Sequence, residues 1–219
     1  MLYRTLACDY DGTIAWDSKV DTGTIAALER FRSTGGRLLL VTGRRLDDLR
    51  SVFPQVRLFD RIVAENGALL YRPETGEETL LADPPPREFA DALTAKGIDR
   101  VSVGRVIVAT WRPHETTVAE VIRAMALDLQ VIFNKAAVMV LPAGVDKATG
   151  LNVALEELNV PPERVAGVGD AENDLTFLSL CGHSVAVSNS LEVVKHRVDL
   201  VTARGHGEGV QDLIEILLG

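Results

Sequence analysis

The sequence predicts an α/β protein: a doubly wound core, with a parallel sheet covered by helices on both faces, carrying a small inserted α+β module. Three observations predict it. Short runs rich in Leu, Val and Ile alternate with segments of helical period, the pattern of buried parallel strands joined by crossover helices. The alternation is interrupted once, over residues 83–144, by a segment of different pattern. The length of 219 residues exceeds a single domain of roughly 150 residues and leaves room for such an insert.

Residues 2–8, 37–41, 61–64, 164–168 and 183–187 read as the strands of the core. Between the first two, a helix is expected to begin at Asp21 or Thr22, whose side chains can cap free amides. It presents Ile25, Leu28 and Phe31 to the sheet and stops at Gly35-Gly36. A second helix is expected over 146–159, with Leu151, Ala154, Leu155 and Leu158 on one stripe and Pro161-Pro162 ending the segment. In the insert, Pro84-Pro85-Pro86 reads as a stiff linker. A helix reaching Lys96 follows, then a strand over 101–110, a helix bearing Val118, Val121, Ile122 and Met125, and strands at 129–133 and 137–141. The expected organisation is therefore a core built from 1–82 and 145–219, with an α/β module at 83–144.

Composition narrows the function classes. Apolar residues at 47% and charged residues at 25% are ordinary globular usage. An excess of 31 acidic over 23 basic residues gives a net charge of −8, which disfavours a whole-chain grip on nucleic acid or on an anionic membrane. Arg4, Asp9 and Asp11 interrupt the first apolar stretch before a signal-peptide core could form. The expected location is cytoplasmic. The two cysteines, Cys8 and Cys181, form no C-x-x-C pair and read as reduced core residues. None of His114, His183, His196 and His206 stands at H-x3-H spacing, which argues against zinc. Gly167-Val168-Gly169 has Glu172 where a dinucleotide fingerprint needs its third glycine, and no Walker A run occurs.

The chemistry gathers at strand ends. Cys8-Asp9-Tyr10-Asp11-Gly12-Thr13 follows the first strand, and residues two apart leave an extended segment on the same side, so Asp9 and Asp11 emerge together. Open α/β sheets bind ligands at that end. Gly12 permits a sharp turn and Thr13 offers a hydroxyl to tie it down, although an acidic turn would use the same residues. A second strand ends in Thr42-Gly43-Arg44, Lys147 opens a helix, and Gly169-Asp170-Ala171-Glu172-Asn173-Asp174 follows a third strand. Singly, these read as a strand terminator, a surface lysine and capping acids. Together, on one side of one sheet, they read as a site. Asp9, Asp11, Asp170 and Asp174 brought close would repel unless a cation lay among them. All-oxygen donors favour a hard ion, and Mg2+ takes few carboxylates, retains waters and prefers a phosphate oxygen as a further ligand. With Thr42 and Lys147 added, the site is shaped for a phosphoryl group.

In this order, DxDGT at Asp9–Thr13, Thr42, Lys147 and GDxxND at Gly169–Asp174 resemble the four motifs of the haloacid dehalogenase-like phosphohydrolases. The resemblance covers the whole core and implies its Rossmann-like fold. An insert between the second and third motifs is similar to the subgroup with an α/β cap there, which includes Cof-type sugar phosphatases, archaeal phosphoglycolate phosphatases, sucrose-phosphate phosphatases and phosphomannomutases. Glu65-Asn66-Gly67-Ala68 resembles a segment such members carry before the cap. Ala148 departs from the glycine many members have after the lysine.

The resemblance implies a Mg2+-dependent phosphatase acting on a small phosphorylated substrate. Asp9 is then the nucleophile that forms an aspartyl-phosphate, and Asp11 the acid and base. Thr42, Gly43 and Lys147 hold the phosphoryl group, and Asn173 touches substrate. Asp9, the Asp11 carbonyl, Asp170 and Asp174 are the implied metal ligands, Asp174 directly or through water. Arg44 is read as structural support. Substrate choice falls to the cap, whose polar candidates are Arg105, Arg112, His114, Asn134 and Lys135, each with ordinary surface as the alternative reading. A phosphomutase and a non-catalytic phosphate-binding regulator are the competing functions.

Overall fold

The computed structural model describes residues 2–219. The strands β1 (Thr5–Cys8), β2 (Arg37–Val41) and β3 (Arg61–Ala64) run parallel, with α1 (Thr22–Ser33) and α2 (Leu46–Val52) as their crossovers. The chain then doubles back through β4 (Leu69–Arg72) and β5 (Glu77–Leu80), which extend that edge antiparallel. Next come α3 (Arg87–Ala95), β6 (Ser102–Val103), β7 (Val108–Trp111), α4 (Glu115–Ala124), β8 (Leu129–Asn134) and β9 (Ala137–Pro142). These four strands form a separate antiparallel sheet in the order β6-β7-β9-β8. The chain rejoins the first sheet through α5 (Lys147–Leu158), β10 (Val165–Gly169), α6 (Leu175–Leu180), β11 (His183–Ala186), α7 (Glu192–Lys195), β12 (Leu200–Val201) and α8 (His206–Leu218).

The first sheet has the order β12-β11-β10-β1-β2-β3-β4-β5. β1 pairs with β2 on one side and β10 on the other, so the winding direction reverses at β1. The crevice beyond its carboxyl end is where such sheets bind ligands. Both faces are covered, as the alternation along β1 requires. Leu6 and Cys8 enter a cluster with Leu28 and Phe31 of α1 and Leu213 of α8. Ala7 enters the opposite cluster with Leu151 and Leu155 of α5 and Phe177 of α6. In the second sheet, Val138 and Val140 pack against Phe89, Leu93 and Val118, while Met139 and Leu141 pack against Ala68, Val106 and Ile107. Its second face therefore lies over the first sheet.

Local chemistry explains the helix ends. Asp21 caps α1 by accepting from the Thr24 amide at 2.9 Å. Asp146 and Thr149 form a reciprocal capping box at the start of α5, and Asn159 ends it in the left-handed region. Within α1, Leu28 and Phe31 are buried as expected, whereas Ile25 is half-buried and Thr24 and Ala27 take the remaining core positions. Among the described residues, no helix is long and apolar enough to cross a membrane.

Three expectations about the elements need correction. Residues 101–110 are two antiparallel strands, β6 and β7, because the amides of the connecting loop are drawn away to Glu65 instead of continuing a ladder. The sheet is not wholly parallel: the β4–β5 hairpin closes on Gly76 at φ 78°, a conformation only glycine takes freely. The first strand begins at Thr5, not at residue 2.

Candidate active site

Asp9 follows β1 directly and its amide donates to the Val168 carbonyl at 2.9 Å, extending the parallel ladder by one residue. This delivers the carboxylate to the sheet's carboxyl edge. The chain turns at once, with Gly12 at φ 88°. A Cβ there would lie 2.3 Å from Asp170 Oδ2, so only glycine lets this loop approach the β10 loop so closely. Thr13 Oγ1 lies 3.1 Å from Asp9 Oδ2 and 3.4 Å from Asp170 Oδ1. The Gly12 carbonyl is held from outside by Asn189 Nδ2 at 2.8 Å.

Lys147, at the first turn of α5, is fully buried. Its Nζ donates to Asp9 Oδ1 at 2.5 Å and to Asp174 Oδ1 at 2.6 Å. The other oxygen of Asp174 accepts from the amides of Asp170 and Ala171 at 2.8 and 3.0 Å. Asp9, Asp170 and Asp174 each offer a carboxylate oxygen to one group whose atoms lie within 4.8 Å of one another. Burial, then the Asp174 charge, pushes the Asp9 carboxyl well above the ordinary range against the pull of Lys147. Asp170 is raised for the same two reasons, opposed by Lys135. Burial alone would lower Lys147, but Asp174 and Asp9 outweigh it and hold the ammonium above the ordinary lysine value.

Asp11 stands apart from that cluster. Its two oxygens accept from Arg44 Nε and Nη2, both at 2.6 Å, and Arg44 Nη2 also donates to Ser18 Oγ at 2.6 Å. Thr42 and Gly43 follow β2: Thr42 Oγ1 accepts from the Arg44 amide at 3.1 Å. A Cβ on Gly43 would meet Met139 at 3.3 Å and the Asn173 amide at 3.8 Å. Asn173 Nδ2 donates to Asn66 Oδ1 at 2.8 Å. That leaves Asn66 Nδ2 and Asn173 Oδ1 buried without protein partners beside Gly43, which is what a polar ligand would satisfy.

A cleft of about 580 Å3 opens over Asp9, Asp11 and Gly43. Its far wall comes from the second sheet, including Trp111, Lys135 and Met139. The buried Glu65 carboxylate, adjoining β3, accepts from the amides of Arg105, Val106 and Ile107 at 2.7 to 2.9 Å. This binds the β6–β7 loop to the first sheet. Of the five cap candidates, Asn134 and Lys135 line the cleft. Arg105 pairs with Asp47 and Glu78, Arg112 lies over the Phe133 ring, and His114 precedes α4.

The groups missed from sequence are Glu65 as an amide receptor, Asn66 as the partner of Asn173, and Arg44 as the clamp on Asp11. Gly104-Arg105 inside an apolar run was a turn signal that could have divided the strand. The pairings themselves join residues 33 to 107 positions apart and leave no local mark.

A sequence model of the haloacid dehalogenase-like hydrolases matches residues 6–101 and 116–214. The phosphoglycolate phosphatase of Methanothermobacter thermautotrophicus is 30% identical over 226 residues, covering 99% of both chains. That of Natronomonas pharaonis is 30% identical over 220 residues, covering 96% of both. Among solved structures, a haloacid dehalogenase-like hydrolase from Bacteroides thetaiotaomicron superposes with a TM-score of 0.80 at 21% identity, over 98% of this chain and 99% of that one. A protein of Thermoplasma acidophilum gives 0.83 at 16%, over 99% and 98%. At these identities the structures speak to the fold.

Proposed function

The chain belongs to the haloacid dehalogenase-like hydrolase family, and from that premise we propose that it is a Mg2+-dependent phosphatase of small phosphate monoesters, acting through an aspartyl-phosphate at Asp9. The observation that carries the reading is the Lys147 ammonium, buried between Asp9 and Asp174 with Asp170 alongside.

Asp9 suits the nucleophile better than its neighbours. Both oxygens of Asp174 are taken, one by Lys147 and one by two amides. Asp9 lines the cleft, and its Oδ2 is held only by the Thr13 hydroxyl. In the first step an Asp9 oxygen bonds to phosphorus while the bond to the leaving oxygen breaks, and protonated Asp11 gives its proton to that oxygen. In the second, Asp11 takes a proton from water as the water oxygen attacks phosphorus, releasing phosphate and restoring Asp9. Asp11 takes these roles once its pair with Arg44 opens. Lys147, Thr42 and the Gly43 backbone neutralise and orient the phosphoryl oxygens.

The donor set fits a hard dication: carboxylate oxygens only, clustered within 4.8 Å and buried, with the Asp9 and Asp170 carboxyls raised by burial and by the Asp174 charge. Asp9, Asp170 and Asp174 would hold it, with the Asp11 carbonyl as the expected further ligand. Bound there, Mg2+ supplies positive charge beside the phosphoryl oxygens.

The relatives named as phosphoglycolate phosphatases support a compact ester as substrate, with a sugar phosphate as the other member of the class. The segment 83–144 is read as the cap that closes over the cleft. A phosphate-release panel of 2-phosphoglycolate, sugar phosphates and nucleotides with Mg2+ tests the reading. Turnover of at least one small ester is expected, lowered by roughly three orders of magnitude or more in a folded Asp9→Asn variant. Near-normal turnover in that variant would remove Asp9 as nucleophile.

A further inference from the structure

The cleft wall opposite Asp9 is largely apolar, with Trp111 and Asn134 as its neutral polar members. Ala109, Ala136, Ala137 and Met139 face the cavity from the second sheet. Such a wall offers the several hydroxyls of a sugar few partners, and desolvating a hydroxyl without one is unfavourable.

Into this wall a single cation is set. Lys135 sits at the tip of the β8–β9 hairpin, where its Nζ donates to Asp170 Oδ2 at 2.7 Å and its amide donates to Glu172 Oε2 at 3.3 Å. Its backbone is left-handed, φ 53°, a conformation glycine adopts without strain. The other two cations of the site are more closely held: Lys147 is buried between Asp9 and Asp174, and Arg44, with its side chain 21% exposed, is shared between Asp11 and Ser18. Lys135 differs from both in mobility. Its side chain is 48% exposed on a flexible four-carbon stem, so the ammonium can be redirected while the hairpin stays in place.

Asp170 is also one of the carboxylates assigned to Mg2+. A dication bound there would compete with the ammonium for Asp170 and leave Lys135 free to meet an anion entering the cleft. Resting on the phosphatase reading above, we propose that Lys135 determines specificity: its ammonium receives a carboxylate of the leaving group, so that the preferred substrates are compact phosphorylated carboxylic acids and not polyol phosphates.

The test compares 2-phosphoglycolate with ethyl phosphate, two-carbon esters that differ by the carboxylate, on the full chain with Mg2+. Wild type is expected to favour 2-phosphoglycolate at least tenfold in kcat/KM. Lys135→Met should reduce that ratio at least tenfold, mainly through KM, and Lys135→Arg should restore most of it. Binding supplies a second readout. Trp16 and Trp111 are the two tryptophans of the chain and both line the cleft, so their fluorescence reports its occupancy. With Mg2+ and 3-phosphonopropionate, the non-hydrolysable isostere of 2-phosphoglycolate, Lys135→Met should weaken the Kd at least tenfold relative to wild type. Should Lys135→Met fail to fold, Lys135→Gln reads the same ratio. A wild-type ratio near one, or equal losses on both esters in Lys135→Met, overturns the proposal while the phosphatase reading stands. Turnover of no phosphate ester by the folded wild type overturns both.

Discussion

Lys147 carries its charge at zero exposure, an arrangement that is tolerable because Asp9 and Asp174 meet it. Those carboxylates in turn crowd Asp170, and Gly12 is what lets the Asp9 loop approach it. Replacing Gly12 with Ala puts a methyl group into the Asp170 carboxylate and asks a non-glycine residue to hold φ 88°. The backbone conflict alone is expected to cost about 1–2 kcal/mol, and the displaced Asp170 should lower phosphatase turnover by roughly 100-fold or more. Thermal melts and a phosphate-release assay on Gly12→Ala check both; wild-type turnover would mean that the approach of the two loops is dispensable. At this scale Asp9, Asp170 and Lys147 were readable in sequence because each closes a strand or opens a helix. The Arg44 clamp on Asp11 was not, since only the fold brings residues 33 apart into a two-oxygen pair.

Elements explain why the cleft has a second wall. Glu65 and Asn66 occupy left-handed positions after β3, turning the Glu65 carboxylate onto three successive amides of the β6–β7 loop. Gly104 makes room, because a Cβ there would lie 2.6 Å from the Glu65 carboxylate. Glu65→Gln keeps the shape but sets an amide N–H2 against N–H donors. The expected loss is about 2 kcal/mol of stability, with KM for a small ester rising more than kcat falls, since the loop anchors the wall and not the reacting atoms. Equal stability and unchanged KM would show that the anchor is not needed. The helix patterns of α1 and α5 were legible because caps and periodicity are local. The division of residues 101–110 was missed although Gly104 marks it, and the residue that anchors the turn lies 40 positions away.

For the whole molecule, the reversal of winding at β1 sets the site's location. It places the ends of β1, β2 and β10 side by side, so motifs scattered from Asp9 to Asp174 converge without any of them being adjacent in sequence. Alternating apolar runs foretold the doubly wound core, but not the strand order that sets β1 between β2 and β10. Strands β5 and β12 were also not legible: β5, largely Glu and Thr, lacks the apolar run that marks buried strands, and β12 is only two residues long. The central claim is that phosphoryl transfer passes through Asp9. Acid-quenching the wild-type enzyme during turnover of a small phosphate ester with Mg2+, reducing with borohydride and sequencing the peptides by mass spectrometry tests it most directly. The account predicts that residue 9 alone is converted to homoserine, the mark of an aspartyl-phosphate; conversion at Asp170 or Asp174 in its place, or none at any aspartate during active turnover, would contradict it.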